Sequence, residues 1–254
     1  MTQNEQIGLW LAEEKIAHIH GWDFSHIEDR YEEGGDLPWD YRKIVLAHLK
    51  PDMRVMDMDT GGGEFLLSLN HPPHLLSATE GYAPNVSLCR ETLLPLGVDF
   101  READAKGHLP FPNESFDLVL NRHGDFNAAE IRRVLRPGGW FITQQVGAEN
   151  DRDLVQMLYA DVPPLPFPDQ YLSVCEETFR KNGFAILDSQ EVRRPIRFYD
   201  IGALVWFAHI IEWEFPDFSV EKNLPQLLAL QEKLERDGVI EGTTHRFWLA
   251  AQKI

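Results

Sequence analysis

Residues 55 to 64 read Val-Met-Asp-Met-Asp-Thr-Gly-Gly-Gly-Glu, an apolar strand that runs through two acids into three glycines and then a helix. Glycines suit such a turn because the chain must reverse sharply, often through positive φ, and because missing side chains let a bulky ligand approach the backbone. Asp57, Asp59, Thr60, Gly61 and Gly63 are therefore candidate ligand contacts. The stretch lacks the Gly-Lys-Ser/Thr ending of a phosphate loop, and Leu66 stands where a dinucleotide fingerprint has its third glycine. Glu80, followed by Gly81, closes the next apolar run, a position from which a carboxylate can accept hydrogen bonds from both hydroxyls of a ribose. Asp104 and Ala105 close the third run, where an adenine amino group could be met. Three carboxylates at three successive strand ends point to one crevice, because ligands of open α/β sheets bind outside the carboxyl ends of the strands.

The elements that must position these residues are legible as an alternation. Short apolar runs at 53–58, 75–79, 98–102, 116–121 and 140–146 are separated by amphipathic helical stretches, among them 128–135, and this is the signature of a parallel sheet covered by helices. The turn Arg136-Pro137-Gly138-Gly139 is expected to separate the 128–135 helix from the strand after it. Further helices are expected at 151–159 and 172–182 and a strand at 184–193, with HRFWLAAQK as a last strand. The segment 196–236 breaks the alternation and reads as a helical cap, its apolar run being too short for a membrane span. Residues 1–50 mix two helical patterns with loop aromatics that could cover a ligand. The organisation expected is one domain over 1–254, with an N-terminal helical and aromatic lid (1–50), a cofactor-binding core (51–147), and a C-terminal part (148–254) carrying the cap.

Composition narrows the partners. Acidic residues outnumber lysine and arginine 41 to 24, for a formal charge of −17, so the average surface repels phosphate backbones and nucleic acid is disfavoured. Arg193, Arg194 and Arg197 are the nearest approach to a basic patch. Cys89 and Cys175 have neither disulfide nor zinc spacing, and no leader-like or membrane-length apolar segment is seen, which fits a cytoplasmic setting. His71-Pro-Pro-His74 offers two rings without third and fourth ligands, so no metal is expected.

Taken in order, the glycine motif, ATEGYAPN, FREADA, LPFPNESFDLVLNRH and LRPGGWFITQQ resemble the class I S-adenosylmethionine-dependent methyltransferases over roughly residues 40 to 147. The resemblance implies a Rossmann-like, mostly parallel sheet with helices on both faces and an antiparallel last strand. It also implies that S-adenosylmethionine is the cofactor and S-adenosylhomocysteine the product. By the same resemblance Asp57, Gly61 and Gly63 cradle the methionine end, Glu80 holds the ribose, Asp104 and Ala105 meet the adenine, and Asn121 lies beside the sulfonium. The family usually has glycine where this chain has Asp59, an acid that could contact the methionine ammonium or crowd the cofactor. His123, just after the fourth strand, is the candidate base, titrating near neutral pH. Arg122, Trp22 and Tyr41 are candidate acceptor contacts. The acceptor expected is a small molecule and the protein a monomer or homodimer. The alternatives are a methyltransferase-like protein that binds without catalysis, a methyltransferase acting on RNA or protein, and a nicotinamide-dependent oxidoreductase that shares the glycine turn and strand-end acid.

Overall fold

The computed structural model describes residues 2–18 and 23–254. Its elements in chain order are α1 (Gln3–Ile16), β1 (Tyr31–Glu33), α2 (Tyr41–His48), β2 (Val55–Met58), α3 (Glu64–Ser68), β3 (Leu76–Glu80), α4 (Ala83–Thr92), β4 (Asp99–Glu102), β5 (Phe116–Arg122), α5 (Ala128–Val134), β6 (Leu135–Val146), α6 (Arg152–Leu158), α7 (Leu172–Lys181), β7 (Phe184–Phe198), α8 (Ile201–Ile210), α9 (Leu224–Asp237) and β8 (Ile240–Lys253). The chain divides into two compact units, one of residues 37–147, 170–192 and 246–254, the other of 1–36, 148–169 and 193–245.

The first unit is the expected α/β sheet. Its strand order is β7-β8-β6-β5-β2-β3-β4, with β2 to β6 parallel and β8 antiparallel to β6. Two-residue alternation sorts its side chains onto two faces. Met56, Met58, Val119, Phe141, Phe247 and Leu249 pack with α5 and α7 on one, while Val55, Leu118, Leu120, Ile142 and Trp248 pack with α2, α3 and α4 on the other. From β2 the chain moves outward through β3 and β4, then returns on the other side of β2 as β5. The strand order therefore reverses between β2 and β5, and in such sheets that is where the ligand crevice opens.

In the second unit β1 pairs antiparallel with the end of β7, Tyr31 opposite Phe198. Nine of the ten residues of α8 are buried, as befits a helix apolar on every side. It is a core helix of this unit, packed in one cluster with Trp10, Ile27, Leu154, Phe198 and Leu227. Phe24 and Tyr31, expected among the loop aromatics, join that packing, Phe24 lying 6.0 Å from both Tyr31 and Trp206. Arg193, Arg194 and Arg197 face Glu149, Glu33 and Glu241, so the candidate basic patch consists of ion pairs.

Several boundaries differ from expectation for local reasons. Helix α3 stops at Ser68, because Asn70 turns to φ 54 ahead of the two prolines. Strand β6 begins before the Arg-Pro-Gly-Gly turn: Leu135 already pairs with Phe116, and the turn is a bulge over which the register shifts. The three-residue β1 falls where a loop was expected, and β7 and β8 are both longer than their apolar runs.

Candidate active site at the ends of β2, β3 and β5

Asp57, the third residue of β2, is 3% exposed and accepts a 2.6 Å hydrogen bond from Thr60 Oγ1. Burial pushes its pKa up to about 6, aided by the Glu80 charge and opposed by Thr60 and the Arg122 cation. The turn that follows is held by Glu80. Gly61 N–H donates to Glu80 Oε2, and Gly81 N–H and Tyr82 N–H donate to Oε1, all at 2.9 Å. One carboxylate thus ties the glycine loop to the end of β3, and Asn85 Nδ2 also donates to its Oε2 at a long 3.4 Å, the weakest of the four bonds and the one a ribose hydroxyl would replace. Gly61 has φ +65 and open space where a side chain would stand, whereas a Cβ on Gly63 would come within 2.6 Å of Leu93. The first glycine leaves a surface free and the second lets α4 pack close.

Asp59 takes the left-handed conformation, φ 50, that glycine would adopt without strain. Its neighbour across the crevice is Gly124, where a Cβ would lie 2.6 Å from Asp59 Cβ. Burial, then the charges of Glu80, Asp125 and Asp104, raise the Asp59 pKa to about 7, although the Asp125 N–H hydrogen-bonds to it. Asp104 is exposed and caps its own turn by accepting from Lys106 N–H at 2.9 Å, while Ala105 is 4% exposed. Asp57 and Asp59 feel three further acids, Glu80, Asp104 and Asp125, and neither has a cation within ion-pair distance among the described residues.

Asn121, opposite Met58 in the β2–β5 ladder, is wholly buried. Its Nδ2 donates to the carbonyls of Met58 and Asp125, and its Oδ1 accepts from Gln145 and Thr143. With every hydrogen-bonding position used internally, its side chain pins the 122–125 loop against β2. Tyr41 is likewise bonded within the fold. It is 6% exposed, with its hydroxyl 3.1 Å from the Asn121 carbonyl and 2.9 Å from that of Ile142, and so anchors α2 rather than meeting an acceptor. Trp22 lies outside the described residues.

His123 does follow β5 at the crevice, in a left-handed conformation (φ 61). Solvent reaches its surface, yet the protein packed around it, then the charges of Arg246 and Arg122, press its pKa down to about 3. The imidazole is thereby held uncharged at neutral pH. Its Nε2 lies 3.0 Å from Gln144 Nε2, and Gln144 Oε1 accepts from Trp39 Nε1–H at 2.8 Å. Arg122 places its guanidinium 4.9 Å above the Phe65 ring.

With this geometry in hand, the comparisons are specific. Residues 56–143, which hold the glycine loop, Glu80, Asp104 and the end of β5, match the methyltransferase domain family. Over those residues the chain forms a methyltransferase domain. The chain is 34% identical over 134 residues to a demethylmenaquinone methyltransferase of Thermus thermophilus, covering 46% of this chain and 60% of that protein. It is 31% identical over 110 residues to a fatty-acid O-methyltransferase of Mycolicibacterium smegmatis, covering 41% and 40%. The chain therefore spans about half the length of these curated relatives. A Bacillus halodurans crystal structure with a provisional methyltransferase designation shares the fold, at TM-score 0.58 and 18% identity over 84% of this chain and 98% of that one.

The methyltransferase domain suits its cofactor by charge. S-adenosylmethionine brings an ammonium and a sulfonium, both cations, to a crevice whose acids have pKa values raised first by burial and then by neighbouring carboxylates, a rise that a bound cation would offset. A dinucleotide would bring a pyrophosphate into the same acids. Sequence reasoning missed Gln144 and Gln145 of β6 and Gly124 of the loop, which hold the crevice in shape. The signal was present, since two adjacent glutamines follow the apolar Trp-Phe-Ile run in the same strand, and both are buried.

Proposed function

We propose that this protein transfers the methyl group of S-adenosylmethionine to a small-molecule acceptor. The observation that carries the reading is the glycine-walled crevice at the strand-order reversal, lined by Asp57, Asp59 and Glu80. The matched relatives' acceptors, a demethylmenaquinone and a fatty acid, favour a small molecule here, as does the charge of −17 against nucleic acid.

Glu80 would take the ribose hydroxyls beside its backbone donors, replacing the long bond from Asn85 Nδ2. Asp59 and Asp57 would receive the methionine ammonium, and the Asp104 turn would receive the adenine. The cofactor supplies an activated methyl group with a neutral thioether as leaving group. The protein's share is to align an acceptor in line with that methyl and to keep water out.

Calorimetric titration with S-adenosylmethionine, S-adenosylhomocysteine and NAD tests this. Micromolar binding of the first two without the third is expected. Failure of both to bind would mean that Asp59, in place of the usual glycine, has closed the site. Tight NAD binding would overturn the cofactor assignment.

A further inference from the structure

The strand-end array on the acceptor side of the crevice has a hydrogen-bond direction that can be worked out atom by atom. An indole N–H can only donate, so Trp39 Nε1 at 2.8 Å makes Gln144 Oε1 an acceptor and fixes which way that amide points. Gln144 Nε2, an NH₂ that can only donate, therefore faces His123 Nε2 at 3.0 Å. The imidazole must accept there. Its one proton then sits on Nδ1, and a second proton on Nε2 would collide with the amide hydrogens. The His123 backbone N–H, donating to Gln144 O at 2.8 Å, holds the ring in register with that amide.

What remains at the surface is a set of donors. His123 Nδ1–H has no partner among the described residues, on a ring that solvent reaches. Arg122 beside it is exposed and, among the described residues, has no carboxylate within ion-pair distance, although the chain has 41 acids. Its guanidinium rests on Phe65, which gives the spot an apolar wall. Arg246 adds a second positive charge close enough to act on His123. The array adjoins the cofactor crevice, because Gly124, the next residue, abuts Asp59.

Resting on the methyltransferase reading above, we infer that the acceptor carries an anionic oxygen, a carboxylate or a phenolate, bound by Arg122 and His123 Nδ1–H. His123 serves as a hydrogen-bond donor and not as a base, and Trp39 and Gln144 are positioning residues that fix its tautomer. An acceptor that arrives as an anion needs no proton removed before it meets the methyl group.

The test uses the protein saturated with S-adenosylhomocysteine, whose binding is measured first and by itself. Benzoate, 4-nitrophenolate and the neutral benzamide are then titrated by calorimetry. Benzoate or 4-nitrophenolate should bind at least about tenfold more tightly than benzamide, as expected for a charge-assisted hydrogen bond, and Arg122→Gln should abolish the difference. Which of the two anions binds identifies the oxygen class. Equal binding of benzamide, or no binding of either anion at millimolar concentration, overturns the inference.

The tautomer is read independently by ¹⁵N-histidine spectra, with the His123 signals assigned by their loss in His123→Asn. They should show the Nδ1–H pattern unchanged from weakly acidic to weakly basic pH, and Trp39→Phe should mix the tautomers. An Nε2–H pattern, or titration near the ordinary histidine pKa, refutes the array even if the cofactor binds. Should S-adenosylhomocysteine fail to bind, the methyltransferase reading falls while the spectra still decide the donor role of His123.

Discussion

Asp59 offers the sharpest test of the cofactor side, because its ionisation can be read as an affinity. In the free protein its pKa lies at about 7, and that of Asp57 at about 6. Both are raised, so both acids lose their charge as pH falls through the window in which most proteins are assayed. If the methionine ammonium binds the ionised carboxylates, apparent affinity is reduced by the fraction protonated. Between roughly pH 7.5 and pH 6, a pKa of about 7 weakens binding about eightfold and a pKa of about 6 about twofold, together some sixteenfold. The range stops where an amino acid's own ammonium begins to titrate.

The assay is calorimetric titration with S-adenosylhomocysteine, which keeps the ammonium and lacks the sulfonium, at four pH values. Asp59→Asn should remove the larger part of the slope, leaving about twofold from Asp57, and should weaken binding at the upper pH by about tenfold or more through loss of a charge-assisted hydrogen bond. A variant that keeps the full slope, or binds more tightly than the parent, would refute the reasoning and make Asp59 an obstruction. The same raised pKa values carry a stability sign. In the free protein each acid favours the protonated state when folded, so its contribution is greatest below the unfolded value and is lost as pH rises through about 6 to 7.

Other perturbations probe the frame. Glu80→Gln presents an amide NH₂ to a carboxylate position that accepts from three backbone N–H groups, so the free protein should lose about 1.5–3 kcal/mol in urea unfolding; unchanged stability would mean those bonds do not hold the glycine loop. Gly124→Ala places a methyl group 2.6 Å from Asp59 Cβ and should cost about 1–3 kcal/mol, largely recovered in combination with Asp59→Gly; simple additivity of the two changes would show that they are not in contact. Burial raises the Cys89 and Cys175 thiols to about 12, so native protein should resist a thiolate-selective reagent until it is unfolded, and rapid labelling at mildly alkaline pH would contradict their placement.

The cofactor crevice was legible in the sequence because its chemistry is tied to backbone events that leave marks. A strand followed by Gly61 and Gly63 announces both a turn and a close approach, and an acid closing the next strand, Glu80, has a defined geometric relation to that turn. The sheet was legible for the same kind of reason, since buried parallel strands such as β2 and the middle of β5 read as short, mostly apolar runs. What stayed hidden was set by tertiary partners. Nothing local distinguishes β1 from a loop until β7 lies beside it, and the Arg-Pro-Gly-Gly turn shows itself as a bulge only once Leu135 pairs with Phe116.

The same division separates position from hydrogen bonding at the site residues. Asn121 ends a strand at the crevice, which makes it a candidate contact by position, but whether its amide faces a ligand depends on whether Gln145, Thr143, Met58 and Asp125 have used its bonds, and they have. His123 looks like a base because histidines near neutral pKa often are. Its role turns on the direction of one hydrogen bond, and that direction is imposed by Trp39 from far away in sequence, through an amide on another strand. The family match at 56–143 includes His123 and Arg122 but neither Trp39, Gln144 nor Arg246. A cofactor shared by a whole family can be recognised from residues that lie close together in the chain. The proposed acceptor site uses ordinary residues whose roles appear only when donors and acceptors are matched in space.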